Sequence, residues 1–178
     1  VSYKEIGIID AIAFRFGMFI EIPTGALADI IGKRNTVIAS YLLSSIGIFI
    51  MSQATGFFLL LVGMLFFQLG FALYSGTAEA LCYDSLLEEN KEGEYESVIS
   101  VTSMLVLFST ILATFIGGTM LYALHIRLPY IFWGTAQVFG FFVSLSLHES
   151  ISEFKSFTLK NYVNQLIQGT KLLFSRPL

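Results

Sequence analysis

Gly25-Ala26-Leu27-Ala28-Asp29-Ile30-Ile31-Gly32-Lys33-Arg34 is the stretch that decides how this chain folds. It is short, charged and bracketed by glycines, and it lies between two long apolar runs. In that setting it reads as a tight turn at a water interface that lets two greasy helices approach closely. The runs on either side fix the scale. A membrane-spanning helix needs about 20 mostly apolar residues to cross roughly 30 Å of hydrocarbon. Five runs meet that length, at about 6–26, 36–54, 57–83, 98–123 and 128–147.

The separators between these runs are polar. Ser52-Gln53-Ala54-Thr55-Gly56 is a tight corner, and residues 86–97 form an acidic loop. His125-Ile126-Arg127-Leu128-Pro129 is a short break, with Pro129 suited to the first turn of the next helix. Composition agrees with a lipid-embedded chain: 55% of residues are hydrophobic, 13% are charged and the mean hydropathy is +0.75. Soluble domains carry about 25% charged residues. The expected fold is therefore all-α, a polytopic transmembrane helix bundle occupying residues 1–148. A net charge of −3 gives no reason to expect nucleic acid as a partner, and with Cys82 the only cysteine no intrachain disulfide can form.

Basic residues orient the bundle, because loops on the cytoplasmic side carry the excess of Lys and Arg. With residues 27–35 inside, Lys33, Arg34, Lys91, Lys155, Lys160, Lys171 and Arg176 fall on the cytoplasmic side. Only Lys4 and Arg127 fall outside, and Arg15 lies within a span. Residues 149–178 then form a cytoplasmic tail. In it Leu159, Tyr162, Val163, Leu166, Ile167, Thr170, Leu173 and Phe174 recur at three-four spacing, which predicts an amphipathic linker helix starting near Thr158. The chain opens on Val1 and ends on Pro177-Leu178, and both ends read as cuts within a longer protein.

Small residues, not greasy ones, drive helix association in lipid. Ser40, Ser44, Gly47 and Met51 share a stripe on the second run. Ser103, Thr110, Thr114 and Gly117 share one on the fourth, and Gln137, Gly140 and Ser144 one on the fifth. Helix packing is the plainer use of each, and the lining of a substrate path the sharper one. Ionisable residues inside spans face a protein interior or a wet cavity. On the first run Asp10, Gly17 and Glu21 share a face, with Arg15 about 140° away from Asp10. On the third, Gln68, Ser75 and Glu79 do so, with Ala72 and Cys82 alongside. Asp10, Arg15, Glu21, Gln68, Ser75 and Glu79 are the candidate cavity residues. Ion pairing for Arg15, interface snorkelling for Asp10 and helix-end anchoring for Glu21 and Glu79 are the structural alternatives.

The opening motif resembles the loop after the second span of major facilitator superfamily transporters, Gly-x-Leu-Ala-Asp-Arg-x-Gly-Arg/Lys-Arg/Lys. This chain supplies Gly25, Leu27, Ala28, Asp29, Gly32, Lys33 and Arg34, and departs at Ile30. The stretch Ser75–Leu86 resembles the end of the family's fourth span. No arginine occupies 63–70, and of the antiporter pattern in the next span only Gly117-Gly118 remains. The resemblance implies that the five runs are the second to sixth spans of a twelve-span protein, with the first span and the C-terminal half as missing partners. It implies a latch in which Asp29 is the acid and Gly25, Gly32, Lys33 and Arg34 support it. It further implies a secondary transporter of the cytoplasmic membrane that moves a small molecule by alternating access, coupled to an ion such as the proton, with export favoured over uptake.

Two other readings stay open: a non-transporting membrane sensor or scaffold, and a membrane-embedded enzyme. The second has little to stand on. There is no His-Glu-x-x-His pair and no Gly-x-Ser-x-Gly elbow. His125 and His148 sit singly near interfaces, so no catalytic residue, cofactor or metal site is expected.

Overall fold

The computed structural model describes residues 1–149, which are almost entirely helical and contain no strand. The linker helix expected over the tail lies outside the described residues. Helix α1 runs Tyr3–Ile31, α2 Lys33–Gln53, α3 Phe57–Tyr74, α4 Thr77–Glu88 and α5 Tyr95–Phe115. A π-helical stretch at Ile116–Leu121 and a short α6, Tyr122–Leu124, continue α5. The last described helix is α7, Leu128–Ser144, with Pro129 in its first turn.

Three segments are long and apolar enough to cross a membrane by length and composition: Lys33–Gln53, Phe57–Glu88 and Glu92–Leu124. Of the other two expected spans, 6–26 falls within α1, and α7 covers 128–144 of the 128–147 run; neither is among these three.

The motif that reads as a turn is mostly helix. Residues 25–31 complete α1, and the chain leaves helical geometry only at Gly32, before α2 starts at Lys33. Charge at Asp29 does not break a helix, and a lone Gly25 costs only about 1 kcal/mol against alanine. Gly32 breaks it because its φ is +95° with ψ 141°, a conformation closed to residues with a Cβ. The expected loop over 27–35 therefore shrinks to a single-residue corner.

The run at 57–83 is also not continuous. It divides at Ser75-Gly76, where Gly76 has φ +73°, into α3 and α4. The acidic loop over 86–97 contracts as well: α4 extends to Glu88, a single 3-10 turn covers Glu92–Glu94, and α5 begins at Tyr95. The Gly117-Gly118 pair falls in the π-helical stretch, which replaces the straight end expected for the 98–123 span.

Helix α2 is the centre of the bundle. It packs mainly on α3 and α7, while α1 packs on α3. Its small-residue stripe is the seam: Ser40, Ser44, Gly47 and Met51 are all buried. A Cβ on Gly47 would lie 2.5 Å from the Phe67 amide nitrogen, and one on Gly70 2.6 Å from the Ser40 carbonyl oxygen. Backbones approach this closely only because both sides are small. Two of the buried hydroxyls bond within their own helix, Ser40 Oγ donating to Val37 O at 2.6 Å and Thr36 Oγ1 to Gly32 O at 2.8 Å. The seam thus carries these two hydroxyls without orphaning them. On the other side of α2, Gly140 sits against the Tyr41 ring and Gly134 against Phe49.

Helix α5 is the opposite case. None of its residues is buried, and Met104, Leu105, Leu107, Phe108 and Ile111 are all exposed. The expected packing role for Ser103, Thr110 and Thr114 is not realised among the described residues, where all three are exposed.

Candidate functional site

Two features collect the chemistry-bearing residues. The first is the corner at Gly32. Lys33 Nζ forms an ion pair with Asp84 Oδ2 on α4, with both side chains mostly buried. The Glu149 carboxylate accepts the backbone N–H of Lys33 at 2.8 Å and of Arg34 at 3.0 Å. It thereby caps the N-terminus of α2, where donors lack helical partners and the dipole favours a negative group. Arg34 returns the arrangement at the far end of α7. Its Nε donates to Leu147 O at 2.6 Å and its Nη2 to Leu145 O at 2.7 Å. Arg34 thus satisfies carbonyls beyond α7 while Glu149, just past α7, satisfies amides of α2. The clamp joins α2, α4 and the chain after α7 at one end of the bundle.

Lys33 pairs with Asp84. Asp29, the acid that the resemblance implies for the latch, is exposed on the last turn of α1. Gly25 does not sit at a close crossing, since a Cβ there would meet nothing within 4 Å. Gly32, Lys33 and Arg34 do come together. A little farther along, Glu89 and Lys91 pair at 2.7 Å in the turn after α4. The hydrogen bond from Lys91 holds the Glu89 carboxyl below its ordinary range, and the same bond lifts the Lys91 ammonium. Both side chains are exposed, so the pair adds little to stability.

The second feature is a cleft of about 570 Å³ between the α3–α4 break and α5. Phe71 and Tyr74 end α3 on one wall; Ser75, Glu79 and Cys82 follow across the break; Thr102 and Ser103 face them from α5. Glu79 stands in the first turn of α4, close to the positive end of that helix. Ser75 Oγ donates to Glu21 Oε1 at 2.9 Å, which ties α1 to the edge of the cleft. One turn on, Thr24 Oγ1 donates to Ala72 O at 3.1 Å. Tyr83 and Tyr95 meet edge to face at 5.3 Å between α4 and α5.

Of the six cavity candidates, Glu21, Ser75 and Glu79 are thus brought to one place. Gln68 is elsewhere: it packs over Gly17 of α1, where a Cβ would lie 2.3 Å from Gln68 Nε2. Asp10 and Arg15 are exposed on α1 and line none of the clefts described. Sequence reading missed Asp84 and Glu149 as clamp residues. Their partners stand 51 and 116 residues away, so local pattern carries no trace of them. An acid at the end of a span facing a Lys-Arg pair was the one available signal for Asp84.

A family model for the Major Facilitator Superfamily matches residues 1–178. The chain belongs to that superfamily. It is a multi-pass membrane protein of a transporter family, and its helices form part of the family's bundle. Comparison with curated proteins and with solved structures found no match.

Proposed function

We propose that this chain is part of a secondary active transporter that moves a small molecule across the cytoplasmic membrane by alternating access. The Gly32 corner and the chain after α7 lie on the cytoplasmic face in this reading. Family membership supports transport. The observation that carries the rest is the cleft at the Ser75-Gly76 break. Interrupted spans expose backbone and polar side chains at membrane depth, and transporters of this kind bind substrate beside such interruptions. Carboxylates within spans mark substrate or ion pathways, and Glu79 and Glu21 are the acids gathered here. They support coupling to an ion gradient, with the proton as the proposed ion. Export as the direction rests on the family resemblance.

The clamp at Gly32 is the proposed gate support. Its ion pair and its two end caps can form in one state and separate in another without unfolding a helix. The test is flux in proteoliposomes of the full-length protein under an imposed proton gradient. The reading expects Lys33→Asp and Asp84→Lys each to lose most of the flux and the double exchange to recover a large part of it. Gradient-independent flux would remove the coupling, and a double exchange no better than either single change would remove the gate.

A further inference from the structure

We infer that Arg15 marks a docking face on α1 for a membrane-spanning helix of the full-length protein that carries an Asp or Glu at mid-depth, and that the two form an ion pair within the membrane. The inference goes beyond the transport reading and needs neither the cleft nor the clamp. Helix α1 packs mainly on α3 and buries one stripe, Ile9, Ala13, Gly17, Thr24 and Ala28. At about 100° per residue, Arg15 points almost directly away from the middle of that stripe. It is exposed, and it forms no hydrogen bond or ion pair among the described residues. Asp10 does not serve as its partner, since it lies about 140° around the same helix.

Depth gives this charge its weight. Arg15 stands twelve residues after α1 begins and sixteen before it ends, about 18 Å and 24 Å along the axis. Snorkelling serves arginines near helix ends, and one at this depth faces protein or a water-filled cavity rather than lipid. Its neighbours choose between those two. Ile8, Ile12, Met18 and Phe19 surround it on the same outward face, all exposed, Phe19 by 80%. A water-filled cavity would leave this apolar surface wet, whereas a packed helix buries it. Gly7 and Gly25 edge the face, and a Cβ on either meets nothing within 4 Å, so a second backbone can approach there. Between two helices in a low dielectric, a guanidinium is stable only against an acid, which it can grip through two parallel hydrogen bonds. These helices form part of a larger bundle, and the partner helix is placed in the rest of it.

The probe is p-benzoylphenylalanine in place of Phe19, about one helical turn from Arg15, which stays intact. The full-length protein is irradiated in native membranes, and the adduct is located by mass spectrometry of its peptides. The expected adduct joins this position to a spanning segment of the same molecule that holds an Asp or Glu near its middle. That acid is then changed to its amide. Arg15→Gln and the amide variant should each lower the melting temperature in detergent by about 5 °C or more, and Arg15→Lys by less than half as much. The double variant should lose no more than the worse single one, because the two changes remove one interaction. The crosslink carries the test if Arg15→Gln does not fold. An adduct with lipid alone, or no adduct, overturns the inference. So does an adduct with a spanning segment that lacks an acid, or a crosslinked dimer, which would put a second copy of the chain on this face. Additive losses in the double variant would remove the ion pair.

Discussion

The α2–α3 seam and the α5 face are built from similar residues and do opposite things. Both carry serines and threonines at helical spacing within apolar runs. On α2, Ser40, Ser44 and Gly47 are buried against Gly63, Phe67 and Gly70, with backbones in near contact. On α5, Ser103 and Thr110 remain exposed, and no residue of that helix is buried. A small-residue stripe thus marks where a helix can be approached, and a partner decides whether it becomes scaffold or lining. Here α2 is the fixed centre, while α5 stands off and leaves a polar-edged cleft beside the break at Gly76.

The contrast can be broken most sharply at the seam. Gly70→Leu has to displace the Ser40 and Ser44 backbone, which lies 2.6–2.7 Å from the added Cβ. Overpacking of that kind is expected to cost about 3 kcal/mol, read as loss of the folded, monodisperse protein in detergent. Gly118→Leu, where a Cβ meets nothing within 4 Å, should change stability by less than about 0.5 kcal/mol. If the two behaved alike, the distinction between seam and open face would fail.

A smaller effect is expected at the corner. Gly32→Ala forces a Cβ into φ +95° and to within 2.8 Å of the Glu149 carboxylate. Strain of this sort costs about 1–3 kcal/mol. It should lower the melting temperature and loosen the clamp, whereas Gly25→Ala, in open helix, should be neutral or slightly stabilising. The smallest effect belongs to α5: Thr110→Val should leave stability within about 0.5 kcal/mol, because its hydroxyl bonds only to Val106 O of its own helix.

How much of this was legible in the sequence follows the range of the interactions. Run length and apolar content gave the helices, and three-four spacing gave the buried stripe on α2, because both are local. The break at Gly76 was hidden because Ser75-Gly76-Thr77 sits inside an unbroken apolar run, where one glycine is tolerated. The corner at Gly32 was overdrawn into a loop because Asp29 and Lys33 look like loop residues, although charge is compatible with helix. Glu21, Ser75 and Glu79 were legible as intramembrane polar groups, and the sequence held no sign that they would meet while Asp10 and Arg15 would not. The Lys33–Asp84 pair had a span-end acid as its one sign, and the Glu149 cap is a product of the fold alone.

Thiol labelling in native membranes tests the division between scaffold and cleft most directly. Ser103→Cys on α5 and Ser44→Cys on α2 are introduced separately into the full-length protein carrying Cys82→Ser and treated with a membrane-impermeant thiol reagent, with labelling read on each new cysteine's own peptide. A water-filled cleft beside Gly76 requires Ser103→Cys to react at a rate that changes when substrate is added, with Ser44→Cys remaining inert. Equal reactivity at both positions, or an unreactive Ser103→Cys sealed in lipid, would contradict it.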